Sequence, residues 1–166
     1  MLKLLSWNIN GIGKEEKRKW VRDAVRARRI SFLCLQETKA ALNHNWQVKA
    51  LWSGNSQDFA AQEAVGNSSG ILTVWDPVHF SASSVTKQAG FVAVKGIWKE
   101  NRLPLGVINV YTPQSVSRRR ALWEAIKASI NEDSCTTWIV CGDFNEVRSP
   151  EERKGSVFDP YGASFF

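Results

Sequence analysis

Seven short apolar runs, separated by turn-forming residues and by only two stretches of helical period, confine this chain to a sheet-rich α+β fold. The runs cover 2–9, 30–35, 70–75, 80–86, 91–98, 105–111 and 137–141, lengths that suit strands. Asn10-Gly11 closes the first run, and Asp76-Pro77 and Asn101-Arg102 fall in later breaks. From Lys14 to Arg29 the period becomes helical, with Trp20, Val21, Ala24 and Val25 on one apolar stripe. A second helix is expected from a Ser117 cap to about Ile130, with Leu122, Ile126 and Ile130 along its inner face. Strand, helix and strand within the first 36 residues predict a βαβ-like unit. Residues 53–69, rich in Ser, Gly, Asn and Gln, show no clear period and read as loop. Strands outnumber helices, and the helices lie between strands. That order fits two sheets packed face to face with helices outside.

Length and composition narrow the class of protein further. The 166 residues fit one domain with a sizeable core, and 43% of them are hydrophobic. No apolar run approaches the roughly 20 residues that span a bilayer. The start, Met-Leu-Lys-Leu-Leu-Ser-Trp-Asn, lacks a long apolar signal segment, so a soluble, intracellular protein is expected. Cys34, Cys135 and Cys141 make no zinc spacing and are read as buried free thiols without disulfide partners. A net charge of +6 favours an anionic partner such as nucleic acid. Eight of the sixteen residues from Lys14 to Arg29 are basic, and Arg118 to Arg120 form a second cluster. Both read first as solvated helix faces.

Polar residues collect where the runs end. Asn8 ends the first, Gln36-Glu37 the second, and Tyr111 the run before the second helix; Asp143 and Asn145 follow the last. Strand ends on one side of a sheet commonly converge to form a site. Carboxylates mixed with amides are the donor set of a hard cation such as Mg²⁺, which prefers oxygen and keeps several waters. Each residue alone has a plainer role. Asn8 suits the Asn-Ile-Asn-Gly turn, Asp143 and Asn145 an Asx turn, Glu37 an exposed loop, and Tyr111 a wet strand end. Four such sites on successive strand ends carry more weight together.

The ordered set Ser-Trp-Asn-Ile-Asn-Gly (6–11), Leu-Gln-Glu-Thr-Lys (35–39), Asn-Val-Tyr-Thr-Pro (109–113) and Gly-Asp-Phe-Asn (142–145) resembles the endonuclease/exonuclease/phosphatase superfamily. More narrowly, the chain is similar to the endonuclease domain of plant non-LTR (LINE-type) retrotransposons. That narrower likeness rests on Ser69 to Trp75, Arg118 to Trp123 and Glu151 to Gly155. The resemblance implies a deoxyribonuclease-I-like sandwich over residues 1–166, Mg²⁺ or Mn²⁺ as cofactor, and DNA as partner. A nuclear location follows only from that substrate. It also implies roles. Glu37 would be the principal metal ligand, and Asn8 would help position metal, water and phosphate. Tyr111 would contact the scissile phosphate. Asp143 would orient or deprotonate the attacking water, with Asn145 holding that carboxylate. Asn10 stands where some members have an aspartate. Arg148, Arg153 and Lys154, just past the last motif, are candidate phosphate contacts.

The superfamily completes its site with a late Ser-Asp-His motif. Here the only histidines are His44 and His79, neither preceded by Ser-Asp, and both read as surface residues. The sequence closes on Ala-Ser-Phe-Phe, so a domain incomplete at its C-terminus is expected. Three functions remain open on this reading: a DNA endonuclease domain, a phosphomonoesterase of the same superfamily, and a catalytically silent fragment that binds nucleic acid.

Overall fold

The computed structural model describes residues 1–42, 44–63, 70–112, 115–145 and 151. In chain order the elements are β1 (Leu4–Asn8), α1 (Glu15–Arg28), β2 (Phe32–Gln36), α2 (Asn45–Lys49), β3 (Asp58–Gln62), β4 (Ile71–Trp75), β5 (Phe80–Gln88), β6 (Phe91–Trp98), β7 (Leu103–Tyr111), α3 (Val116–Asn131) and β8 (Thr137–Asp143). Two four-stranded sheets result, ordered β1-β2-β4-β3 and β5-β6-β7-β8. Each contains one parallel pair made by a helical crossover. β1 pairs with β2 from Leu4↔Phe32 to Asn8↔Gln36. β7 pairs with β8 from Leu105↔Thr137 to Tyr111↔Asp143. A crossover helix returns the chain so that both strands of a pair run the same way. Each unit therefore delivers two strand C-termini to one edge.

Side-chain alternation sorts the strands into layers. In β2, Phe32 and Cys34 face the second sheet, whereas Leu33 and Leu35 pack under α1 beside Val21 and Val25. In β7, Leu105 and Val107 face the first sheet, and Ile108 and Val110 meet Leu122, Trp123 and Ile126 of α3. The layers run helix, sheet, sheet, helix, with a separate apolar core in each gap. Phe32, Trp75 and Phe80 cluster in the middle one, with Phe32 and Phe80 ring centroids 4.9 Å apart, edge to face.

Several expectations need correction. The 53–69 loop contains β3, a strand on the border of its sheet whose Asp-Phe-Ala-Ala-Gln sequence is too polar and alanine-rich to announce itself. Trp20 is 49% exposed, so α1 buries only Val21 and Val25. α3 starts earlier than expected: Ser115 is its N-cap, and Ser117 lies inside the helix. Cys34 is buried and Cys141 half-buried, but Cys135 is exposed in the turn before β8.

The basic residues of α1 are not all a solvated face. Lys17 Nζ donates to the carbonyls of Ile9 and Asn10 at 2.8 and 2.7 Å. Arg18 Nη1 donates to those of Ile12 and Gly13 at 3.1 and 2.8 Å, and Arg22 Nη1 to that of Ala50 at 3.0 Å. These three side chains satisfy backbone acceptors that the β1–α1 turn and the end of α2 leave open. Among the described residues, no helix is long and apolar enough to cross a membrane.

Candidate active site

The two parallel units place the ends of β1, β2, β7 and β8 together. Asn8, the last residue of β1, donates from Nδ2 to Glu37 Oε1 at 3.0 Å and to Asp143 Oδ2 at 2.6 Å. One amide nitrogen thus holds carboxylates from both sheets. The Tyr111 hydroxyl donates to the same Glu37 oxygen at 3.0 Å. Asn145 approaches differently from the expected manner. Its backbone N–H donates to Asp143 Oδ1 at 3.1 Å, and its side-chain amide donates to the Thr112 carbonyl at 2.9 Å. Asp143 is therefore held by the Asn145 main chain in an Asx turn, leaving its second oxygen for Asn8. Asn8 repeats the device, with Oδ1 accepting from the Asn10 N–H at 3.2 Å. The plain turn readings and the site geometry are both present, carried by different atoms of the same side chains.

Backbone conformation marks the same place. Six non-glycine described residues have positive φ, and four of them stand here: Asn10 (47°), Glu37 (53°), Lys39 (50°) and Asn145 (46°). The other two, Arg29 and Arg102, end a helix and occupy a turn. A left-handed residue with a β-carbon costs about 1–2 kcal/mol, so four in one cluster require surrounding contacts that hold them. Glu37 shows those contacts. Its carbonyl accepts the Gly11 N–H at 2.6 Å, and the next N–H, of Thr38, donates to the Gly70 carbonyl at 3.0 Å.

Lys39 is a site residue that sequence reasoning left without a role. Its ammonium lies 3.4 Å from Glu37 Oε2 and donates to Asn10 Oδ1. The available signal was its place in Leu-Gln-Glu-Thr-Lys, two residues beyond the carboxylate. The neutral Asn10 accepts this hydrogen bond without adding negative charge.

The Asn8 amide is the main force holding the Glu37 carboxyl below its usual 4.5, with the Tyr111 hydroxyl and Lys39 adding to it against the opposing effect of burial. A depressed carboxyl stabilises the fold above its unfolded value, and that contribution disappears as pH falls through the lower folded value. Glu37→Gln is therefore expected to flatten part of the acid limb when unfolding midpoints are followed from pH 7 to pH 3. An unchanged acid limb in that variant would refute the assignment.

The oxygens that meet here, and that a divalent ion would use, are those of Glu37, Asp143 and the Tyr111 hydroxyl; Asn8 presents Nδ2 to both carboxylates while its Oδ1 accepts from the Asn10 N–H. No group of three His, Cys, Asp or Glu side chains gathers among the described residues. Two carboxylates suit Mg²⁺, which binds through one or two of them and fills the remaining positions with water and phosphate oxygen. The residues present fit such an ion and do not fit a zinc site. Arg148, Arg153 and Lys154 lie outside the described residues. His44 caps α2 and His79 stands beside Asp76 in the β4–β5 turn, both exposed.

A profile of the Endonuclease/Exonuclease/phosphatase family matches residues 5–159. This chain belongs to that family. The family member is similar to three solved structures over most of its own length. For the human Nocturnin catalytic domain the TM-score is 0.65 at 16% identity, covering 89% of this chain and 65% of that one. For the AP endonuclease LMAP from Leishmania major it is 0.67 at 15%, covering 98% and 64%. For the Xenopus laevis APE2 catalytic domain it is 0.70 at 16%, covering 99% and 66%. The family chain thus spans a little under two thirds of the length of these structures. At such identities the likeness establishes the fold, and the two-sheet, deoxyribonuclease-I-like α+β expectation is borne out.

Proposed function

We propose that this site hydrolyses phosphodiester bonds of DNA with Mg²⁺ or Mn²⁺. The observation that carries the reading is the Asn8 amide joining the Glu37 and Asp143 carboxylates, with the Tyr111 hydroxyl on the first of them. Glu37 would hold the ion, joined by Asn8 once its amide turns Oδ1 inward, and the ion would supply charge compensation on a phosphoryl oxygen. Asp143, fixed through Oδ1 by the Asn145 N–H and through Oδ2 by the Asn8 amide, would use the remaining lone pair of Oδ2 to orient and deprotonate a water in line with the phosphorus. The Tyr111 hydroxyl, once it exchanges Glu37 for substrate, and the Asn145 amide would donate to non-bridging phosphate oxygens, where charge grows in the transition state. DNA as substrate is supported by the +6 charge, by the AP endonuclease among the similar structures, and by the retrotransposon-type motifs. Arg148, Arg153 and Lys154 remain candidate phosphate contacts by their position after Gly-Asp-Phe-Asn.

Equilibrium binding tests the reading without requiring turnover. Mn²⁺ titration should show one site whose affinity falls at least about tenfold in Glu37→Gln, by analogy with losses seen around other metal sites. Gel shifts on duplex DNA should give sequence-independent binding whose logarithm falls linearly with the logarithm of salt. Mn²⁺ affinity indifferent to Glu37→Gln moves the ion elsewhere. Release of inorganic phosphate from small monoesters, with DNA neither bound nor cut, replaces the proposal with a phosphomonoesterase.

A further inference from the structure

Directly beneath the site, the middle core stops being apolar. Inward-facing positions on β2 run Phe32, Cys34, Gln36, and on β7 they run Leu105, Val107, Asn109. Gln36 is 1% exposed and Asn109 fully buried. Gln36 Nε2 donates to Asn109 Oδ1 at 2.6 Å across the gap between the sheets. Gln36 is anchored to its own sheet by contacts with Ser6 Oγ at 3.1 Å and the Cys34 carbonyl at 3.2 Å. Asn109 Nδ2 reaches the first sheet at the Leu72 carbonyl (3.0 Å), Thr73 Oγ1 (3.2 Å) and the Leu35 carbonyl (3.4 Å). Buried amides in an apolar layer cost stability unless they are satisfied, so this network has one well-defined arrangement.

Its position gives that arrangement a consequence. Gln36 precedes Glu37, and Asn109 stands two residues before Tyr111 on the same face of β7. The Tyr111–Glu37 contact crosses between sheets whose other facing side chains are mostly apolar, and apolar packing tolerates small slides that a directional hydrogen bond does not. We propose that Gln36 and Asn109 are positioning residues: a buried amide clamp that fixes the two sheets against each other and so sets Glu37 opposite Tyr111. The clamp acts through backbone placement and touches no substrate. Its effect on metal affinity rests on the proposed function; its effect on the Tyr111–Glu37 contact does not.

The test replaces both amides with apolar side chains of similar size, Gln36→Met with Asn109→Leu, since removing both partners is tolerated better than stranding one. Fluorotyrosine is incorporated, and the Tyr111 resonance is assigned with Tyr161→Phe. In the otherwise native protein that resonance should shift when Glu37→Gln is introduced. In the double variant, still unfolding cooperatively, it should respond less than half as much, and Mn²⁺ affinity should fall about tenfold or more. Thr73→Val, a milder change that removes one acceptor of Asn109, should move both readouts in the same direction by a smaller amount and covers the case in which the double variant does not fold. A folded double variant, or a folded Thr73→Val alone, with a native Tyr111 response overturns the clamp. If the native protein binds no Mn²⁺ yet Tyr111 still reports Glu37 through the clamp, the metal reading fails and the clamp stands.

Discussion

Joined to a segment that carries a Ser-Asp-His motif, residues 1–166 are expected to nick supercoiled plasmid with Mg²⁺ at least about 10²–10³ times faster than they do alone. Residues 1–166 supply a candidate metal carboxylate, a candidate base and neutral donors, but their two histidines are surface groups in the α2 cap and the β4–β5 turn. A phosphodiester transition state spreads negative charge over the equatorial oxygens, and each preorganised donor removed typically costs about 10²–10³ in rate. Asp143→Ala in the joined protein should remove the candidate base and lower nicking by a further factor of about 10²–10⁴. Glu37→Ala should be as damaging, because it removes the proposed principal metal ligand. Plasmid-nicking time courses at matched protein and Mg²⁺ concentrations decide the matter. Fast nicking by residues 1–166 alone, abolished by Asp143→Ala, would mean that Asn8, Tyr111 and Asn145 suffice without a histidine.

Gly142→Ala should be among the most destabilising single-methyl additions in the chain. Gly142 immediately precedes Asp143 on β8 and has φ of 144°, a conformation that side-chain-bearing residues rarely adopt. A β-carbon there would lie 1.9 Å from the Val110 carbonyl oxygen, an atom of the neighbouring strand backbone that cannot turn aside. Backbone strain and overpacking together should cost about 3 kcal/mol or more, lowering the unfolding midpoint by about 6–12 °C. The same shift would carry Asp143 away from Asn8, so Mn²⁺ affinity should fall with stability. Gly13→Ala is the control: an added β-carbon there meets nothing within 4 Å. Equal melting temperatures for the two variants would show that β8 relaxes around position 142 and that the close approach is not required.

Local pattern was enough to locate the strands that bury a face, because alternation and run length are properties of neighbouring residues. Phe91–Trp98 was legible to the residue, and the parallel β1–β2 pair followed from strand, helix and strand in close succession. The order of polar residues at strand ends likewise pointed to Asn8, Glu37, Tyr111 and Asp143 as neighbours. β3 escaped because its short Ala-rich segment gains its strand conformation from pairing with β4, a contact no local pattern records. The exposure of Trp20 escaped because an apolar stripe specifies a face of α1 but not how far the sheet beneath extends. Packing between segments makes Lys17, Arg18 and Arg22 bind carbonyls rather than solvent and brings Lys39 to Glu37. It also leaves Asn145 to hold Asp143 by its main chain. The left-handed turn at Glu37 and the Gln36–Asn109 bond belong with these, since both depend on a partner held by another segment. Periodicity reports which side of an element is apolar; a hydrogen bond between residues 73 positions apart exists only once two sheets have packed and left one geometry that satisfies both amides.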